Sequence, residues 1–437
     1  MDRYEMEKSP PLSGEVRIGA SKNALLPMMA ASLLTSQTCR IMGVPPLGDV
    51  MTMASILRCL GARIAYDAQK EELLITARHL NGREAPYEES RRVRTSVLCM
   101  GPILARYGSA RFPLPGGCAI GNRPVDLHMK AFESLGARIR MGYGAVEAEG
   151  RLTGGNVLLD LPSVGATENA IMAAVLAEGS TRIFNPAKEP EIVDLVGFLR
   201  AMGANIAGEG TDTISIEGVK TLNGCEYRPI PDRIEAGTLM MAAIATGGNV
   251  LLRNARPEHM RAVISKLREA GARINEYPSG VRVRGGKLSA IDIKTHGYPG
   301  FPTDLQPMMM TLYAVANGTS IVHEAIFENR FMHVPELRSM GAHIHIDDRT
   351  AVIEGPAMLS GARVRASDLR AGAALVIAGL AARGTTVIEE IRHIDRGYYR
   401  LEEKLSSLGA IIRRLDDRKR NAHDIREPRR TGGVLRI

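Results

Sequence analysis

One short glycine phrase recurs six times and divides the chain. Leu-Gly-Ala-Arg at Leu60 to Arg63 returns, with small changes, from Leu135, Met202, Ala270, Met340 and Leu408. The glycines are Gly61, Gly136, Gly203, Gly271, Gly341 and Gly409, spaced by 75, 67, 68, 70 and 68 residues. A period that long means one supersecondary unit used six times, because a recurring glycine marks a recurring chain geometry. At 437 residues the chain exceeds what one hydrophobic core organises, so three units plus three is the expected division. Periodicity alone leaves a solenoid open.

Each phrase is expected to end an amphipathic helix. In the first unit Met53, Ile56, Leu57 and Leu60 fall on one face, Asp49 can cap the amides at the start, and Gly61 gives the permissive end. The fourth unit repeats this with Met260, Val263, Ile264 and Leu267 before Gly271. A short alternating strand follows, as in Ala62 to Tyr66. A second motif alternates with the first: a helix rich in small residues, then a glycine, then an apolar strand. Its helices are predicted at 23–35, 95–107, 167–178, 235–246, 304–317 and 369–383, and its strands include 181–184, 250–253, 320–324 and 385–389. Small side chains on nearly every face suit such helices to deep burial.

Several function classes are disfavoured. No apolar run reaches the roughly 18 to 20 residues that cross a bilayer, and Met1 to Lys8 does not read as a secretory signal, so a cytoplasmic location is expected. The net charge of +8 suggests a nucleic-acid partner only until its distribution is considered: nine Lys or Arg against four Asp or Glu lie between Ile411 and Ile437. Residues 416–437 read as a basic, solvated tail, and no nucleic-acid partner is expected. Five cysteines without a C-x-x-C pair predict neither a zinc site nor a disulfide framework. The chain has neither a G-x-x-x-x-G-K-S/T phosphate loop nor a G-x-G-x-x-G element after the first strand.

The long second unit carries Arg111 to Arg123, in which two prolines and three glycines preclude a regular helix. Cys118 is thus presented on a connection, unlike Cys59 and Cys99 in apolar helical text. A thiol with a reference pKa of about 8.5 needs help to act near neutral pH, and Arg111 and Arg123 flank this one. Composition and spacing alone leave open whether Cys118 is chemical or structural.

Eight collinear segments sharpen this reading. They are Gly19 to Pro27 (GASKNALLP), Leu114 to His128 (LPGGCAIGNRPVDLH), Ser163 to Thr167 (SVGAT), Glu189 to Asp194 (EPEIVD), Pro231 to Gly237 (PDRIEAG), Phe301 to Gln306 (FPTDLQ), Phe327 to His333 (FENRFMH) and His393 to Tyr398 (HIDRGY). Together they resemble the enolpyruvyl transferase family, in the branch that acts on UDP-N-acetylglucosamine. The resemblance covers residues 11 to 415. It implies an α/β fold of two inside-out α/β barrels, each built of three repeated units with sheets outside buried helices. Residues 22–230 would form the first domain, and residues 1–21 with 231–415 the second.

The resemblance also implies transfer of the enolpyruvyl group of phosphoenolpyruvate to the 3-hydroxyl of UDP-N-acetylglucosamine, with release of phosphate. This is the first committed step of peptidoglycan precursor synthesis. No cofactor and no metal are implied, and the oligomeric state stays open. Lys22, Arg123 and Arg396 would face phosphoenolpyruvate, with Arg94, Arg330 and Arg370 completing a basic cleft. Asp304 would be the base at the sugar hydroxyl, a role compatible with capping the helix that follows it. Cys118 would be the acid, able to form an adduct with phosphoenolpyruvate and to react with the epoxide fosfomycin. Asn23 and Asp304 would address the sugar, while Arg94, Arg123, Pro124, Val125, Asp126, Leu127, Ser163, Val164, Gly165 and Ile326 would shape the nucleotide-sugar site. Asp126 reads independently as a helix cap. Asp368 and His393 would support the cleft, Asp368 by fixing Arg370 or by closing a domain contact. Leu98 stands where many family members have tryptophan.

Overall fold

The structure, a computed structural model, describes residues 2–81, 84, 94–113, 125–142 and 144–415. All six glycine phrases end helices, and they do so with one hydrogen-bond pattern. Gly61 N–H donates to the Arg58 carbonyl at 2.9 Å and Ala62 N–H donates to the Leu57 carbonyl at 2.9 Å; at the sixth phrase Gly409 donates to Ser406 at 2.9 Å and Ala410 to Leu405 at 3.0 Å. This is the Schellman arrangement, in which the residue after the cap turns left-handed and two orphan carbonyls are satisfied. The six glycines have φ between +89° and +103°, a conformation that a Cβ disfavours.

The small-residue helices form as Lys22–Ala31, Met100–Tyr107, Val164–Ala174, Arg233–Ala245, Gln306–Ala314 and Leu369–Ala381. Eleven residues of Arg233–Ala245 and eleven of Leu369–Ala381 are buried. The strands that follow include Ser180–Phe184, Asn249–Arg253, Gly318–His323 and Thr385–Glu389, within two residues of their predicted starts. Their inward residues are buried and alternate with more exposed ones, so each sheet has one covered face.

The expected inside-out barrels are not present. The strands form six separate mixed sheets, five of four strands and one of three, and among the described residues no strand ladder joins one sheet to the next. Closing a barrel requires a continuous, staggered ladder around the whole circumference. Here each ladder stops after three or four strands; the sheet with Thr38–Met42 at its interior, for example, ends at Arg63–Asp67. The fold is α/β, with six open sheets covering buried helices.

The apolar interior falls into two clusters, one drawn from residues between Ala24 and Ile230 and the other from Tyr4 to Ile18 together with Ile234 to Ile412. The start of the chain pairs with the second set. Arg3–Glu7 lies between Thr385–Glu389 and Ile412–Leu415, antiparallel to both, and Ser13–Arg17 runs parallel to Asn249–Arg253. Two connections between the clusters then run side by side: Ser21 N–H donates to the Ile230 carbonyl at 2.8 Å, and Asp232 N–H donates to Gly19 at 2.9 Å. Among the described residues no helix is long and apolar enough to cross a membrane.

Candidate active site

The double connection places two helix starts together. Lys22 is the first residue of Lys22–Ala31, and its backbone N–H donates to Asp232 Oδ2 at 3.2 Å. The other oxygen of Asp232 caps Arg233–Ala245 by accepting from Ile234 N–H at 2.8 Å and Glu235 N–H at 3.0 Å. One carboxylate thus fixes the entry of both helices.

The Lys22 ammonium donates to Asp49 Oδ2 at 3.0 Å, and Arg396 Nε donates to Asp49 Oδ1 at 2.8 Å. Asp49 does not cap its helix as expected. Leu47 occupies the cap position of Gly48–Cys59, no side chain caps it, and the Asp49 carboxylate turns to the two cations. Burial pushes its pKa up, but the charges of Lys22 and Arg396 outweigh this and hold it below the ordinary carboxylate value.

A second cluster surrounds Asp304, which lies on the tight turn Thr303–Leu305 ahead of Gln306–Ala314. Arg330 donates to Oδ1 at 2.8 Å and Arg370 to Oδ2 at 2.9 Å. The capping reading of Asp304 fails for the same physical reason as that of Asp49: Leu305 holds the cap position, and guanidinium partners from distant segments claim the carboxylate. Burial raises the Asp304 pKa, but Arg370, Arg330 and Lys22 more than offset it, so the carboxyl sits well below its usual range. Arg370 is itself buried, and its other nitrogen donates to the Tyr398 hydroxyl at 3.0 Å, which pairs with Thr238 at 2.8 Å. Asp368 caps Leu369–Ala381 by accepting from the N–H groups of Arg370 and Ala371 at 2.8 and 3.1 Å, a tie to the helix backbone and not to the Arg370 guanidinium.

The two clusters adjoin. A Cβ placed on Gly397 would lie 2.9 Å from Leu369 Cδ2 and 3.3 Å from Lys22 Cδ, so the turn after Arg396, the root of Arg370 and the Lys22 stem meet there. His393 is half-buried on this turn; burial, then the charges of Arg392 and Arg396, lower its pKa. Asn23 follows Lys22 on the same helix and is partly exposed.

The nucleotide-sugar residues occupy other elements. Ser163 caps Val164–Ala174, accepting from Ala166 N–H at 3.4 Å, and a Cβ on Gly165 would fall 3.1 Å from the His128 ring. Burial pushes His128 down to about 4. Asn169 donates to its Nδ1 at 2.8 Å, which leaves the proton of the neutral ring on Nε2. Val125 and Asp126 begin the helix Asp126–Ser134, with Val125 rather than Asp126 in the cap position, and Leu127 is buried. Leu98 is buried beside Gly165. Ile326 is exposed on the turn that leads to Arg330. Among the described residues no hydrogen bond joins the Ser163–Gly165 turn to the Asp304 cluster. Cys118, Arg123, Pro124 and the side chain of Arg94 lie outside the described residues, as does the tail 416–437.

Three organising residues, Asp232, Glu324 and Tyr398, were missed by sequence reasoning, and a fourth, Asp49, was read only as a helix cap. Buried Glu324 accepts from the hydroxyls of Thr295 and Thr303 and from Ile326 and Phe327 N–H, tying the turn of Asp304 to that of Ile326. Their signal was present in part, since Asp232 and Tyr398 fall inside quoted segments and an acidic residue is required wherever Lys22 and Arg396 converge.

Residues 6–405 match the family model of EPSP synthase (3-phosphoshikimate 1-carboxyvinyltransferase). The chain is 55% identical over 414 residues to UDP-N-acetylglucosamine 1-carboxyvinyltransferase 1 of Caldanaerobacter subterraneus subsp. tengcongensis, covering 94% of this chain and 99% of that protein. It is also 55% identical over 421 residues to UDP-N-acetylglucosamine 1-carboxyvinyltransferase 2 of Carboxydothermus hydrogenoformans, covering 95% and 100%. Among solved structures, the enolpyruvyl transferase NikO from Streptomyces tendae superposes with a TM-score of 0.86 at 27% identity, covering 95% of this chain and 99% of that one. EPSP synthase from Acinetobacter baumannii shares the fold, with a TM-score of 0.74 at 19% identity, covering 95% of this chain and 100% of its own. The chain belongs to the enolpyruvyl transferase family, in the branch of the UDP-N-acetylglucosamine 1-carboxyvinyltransferases.

Proposed function

We infer that this chain transfers the enolpyruvyl group of phosphoenolpyruvate to the 3-hydroxyl of UDP-N-acetylglucosamine and releases phosphate, in peptidoglycan precursor synthesis. The observation that carries this is 55% identity across nearly the whole chain to two enzymes of that name. Both substrates are small anions, and the cytoplasm is the proposed place of reaction. The two apolar clusters correspond, in this reading, to two domains, 22–230 and 1–21 with 231–415, with the site at their junction.

The chemistry assigns a task to each cluster. Phosphoenolpyruvate carries a carboxylate and a phosphate, and cations already fixed in place stabilise such charge without reorganising during the reaction. Lys22 and Arg396, joined by Arg123, would hold this anion, and Arg94, Arg330 and Arg370 would complete the basic cleft. Protonation of the methylene carbon makes its neighbour electrophilic; the sugar oxygen attacks and gives up its proton; the tetrahedral adduct then collapses with loss of phosphate and of one proton from the new methyl group, which restores the double bond. Cys118 is proposed as the proton donor and as the point of attack by fosfomycin, which inhibits this family. Asp304 is proposed as the acceptor of the sugar hydroxyl proton. A carboxylate gripped by two guanidiniums is a weak base, so acceptance requires substrate anions to draw Arg330 or Arg370 away first. Asn23, Val125, Asp126, Leu127, Ser163, Val164, Gly165 and Ile326 would seat the nucleotide sugar, with Pro124 beside them.

The test is phosphate release from phosphoenolpyruvate on addition of UDP-N-acetylglucosamine. Release with shikimate 3-phosphate in its place, and none with the nucleotide sugar, would overturn the reading.

A further inference from the structure

Asp49 is a buried carboxylate that caps no helix, and both of its oxygens are spent on cations from opposite ends of the chain. Lys22 belongs to the first apolar cluster's helices and Arg396 to a turn of the second cluster. The contact is reinforced by the backbone: Asp49 N–H donates to the Arg396 carbonyl at 3.3 Å, and a Cβ on Gly48 would fall 3.2 Å from Arg396 Cα. Gly48 therefore allows the two segments to approach, and Asp49 makes the approach specific.

Two cations brought this close repel one another unless an anion stands between them. Before substrate arrives, Asp49 supplies that anion. It consumes only part of each cation's capacity: Arg396 uses Nε on Asp49, and among the described residues neither of its Nη groups has a hydrogen-bond partner. An arginine held by Nε with its fork free is oriented to receive an oxyanion bidentately. Lys22 retains two of its three donors in the same way.

We propose that Asp49 is the positioning residue of the phosphoenolpyruvate subsite, holding Lys22 and Arg396 on one point so that both cations are set before the substrate anion binds. This rests on the transferase reading above. It makes Asp49 a determinant of phosphoenolpyruvate recognition rather than of nucleotide-sugar binding, and it ties that recognition to the contact between the two halves.

The experiment is steady-state kinetics of the full chain carrying Asp49→Asn, with Asp49→Ala as a second variant, each substrate being varied in turn. With neither cation fixed before binding, KM for phosphoenolpyruvate is expected to rise about tenfold or more in both variants, about 1.4 kcal/mol or more. KM for UDP-N-acetylglucosamine, and its dissociation constant by calorimetry, should change less than about twofold; that binding also certifies that each variant is folded. An unchanged or lowered KM for phosphoenolpyruvate in a folded variant overturns the proposal, as does an equal loss for both substrates, which would make Asp49 merely structural. If the unaltered chain itself releases no phosphate from the two substrates, the transferase reading fails instead.

Discussion

Arg370 donates to Asp304 Oδ2 at 2.9 Å from the first turn of a buried helix, and the same guanidinium donates to the Tyr398 hydroxyl. The carboxylate is therefore anchored to the interior of the second cluster. Its charge, rather than its shape, is what that anchor recognises. Asp304→Asn keeps the shape and removes the charge, and it should lower kcat by about 100-fold or more, the usual range for loss of a general acid or base. Single-turnover measurement of phosphate release checks this; kcat within threefold of the parent would remove Asp304 from the proton transfer.

Tyr398→Phe isolates the anchor itself. The variant leaves a buried guanidinium nitrogen of Arg370 without its partner, while the Thr238 hydroxyl still donates to the Ile234 carbonyl. Leaving buried donors unsatisfied costs about 1–3 kcal/mol. Urea unfolding should show a loss of that size with an unchanged slope.

His128 and His333 give the fold an acid-side dependence. Burial pushes each down to about 4, from an unfolded value of 6.5. Both rings are neutral in the folded chain at neutral pH, whereas the unfolded chain binds protons first as pH falls. Their contribution is complete above pH 6.5 and is lost progressively down to about 4, by about 3 kcal/mol for each ring. His128→Gln should flatten the pH dependence of the urea midpoint in this window by one ring's share; an unaltered slope would contradict the assignment.

Glu168 works in the opposite sense. Burial first, and then the charges of Glu191 and Glu189, raise its carboxyl well above the ordinary value, so the folded chain keeps a proton that the unfolded chain has released. Stability on this account falls as pH rises past about 4.5. Glu168→Gln imitates the protonated form, and it should raise the thermal midpoint at pH 8 more than at pH 5.

The six glycine turns are not equally exacting. Around Gly409 a Cβ would meet nothing within 4 Å, so Gly409→Ala carries the cost of a left-handed backbone alone, about 1–2 kcal/mol. At Gly271 the same Cβ would lie 2.4 Å from the Lys287 carbonyl oxygen. Gly271→Ala should therefore destabilise distinctly more in chemical unfolding; equal losses would mean that the Lys287 segment yields freely.

These turns were legible because the cause is local: a left-handed residue after a helix calls for glycine, and five neighbouring residues supply every hydrogen bond. The small-residue helices and the strand starts were legible for a similar reason, since burial leaves its period in the text. Asp49 and Asp304 were misread as caps because an acidic residue at a helix start looks the same whether it meets its own amides or an arginine from another segment, 347 positions away for Asp49 and 26 and 66 for Asp304. The barrel was misread at another level. Six copies of a unit tell how each sheet is made but not whether one sheet's edge pairs with the next, and edge pairing is what closure needs.

The strand Arg3–Glu7 sits between Thr385–Glu389 and Ile412–Leu415 rather than at an edge. During synthesis it leaves the ribosome long before either neighbour exists, so its backbone groups meet these partners only once residues 385–415 have been made. The second interior is a split one, started early and completed late, and among the described residues the last strand, Ile412–Leu415, pairs with the first, Arg3–Glu7. Removing 22–230 and bridging the gap would make that interior continuous in time as well as in space.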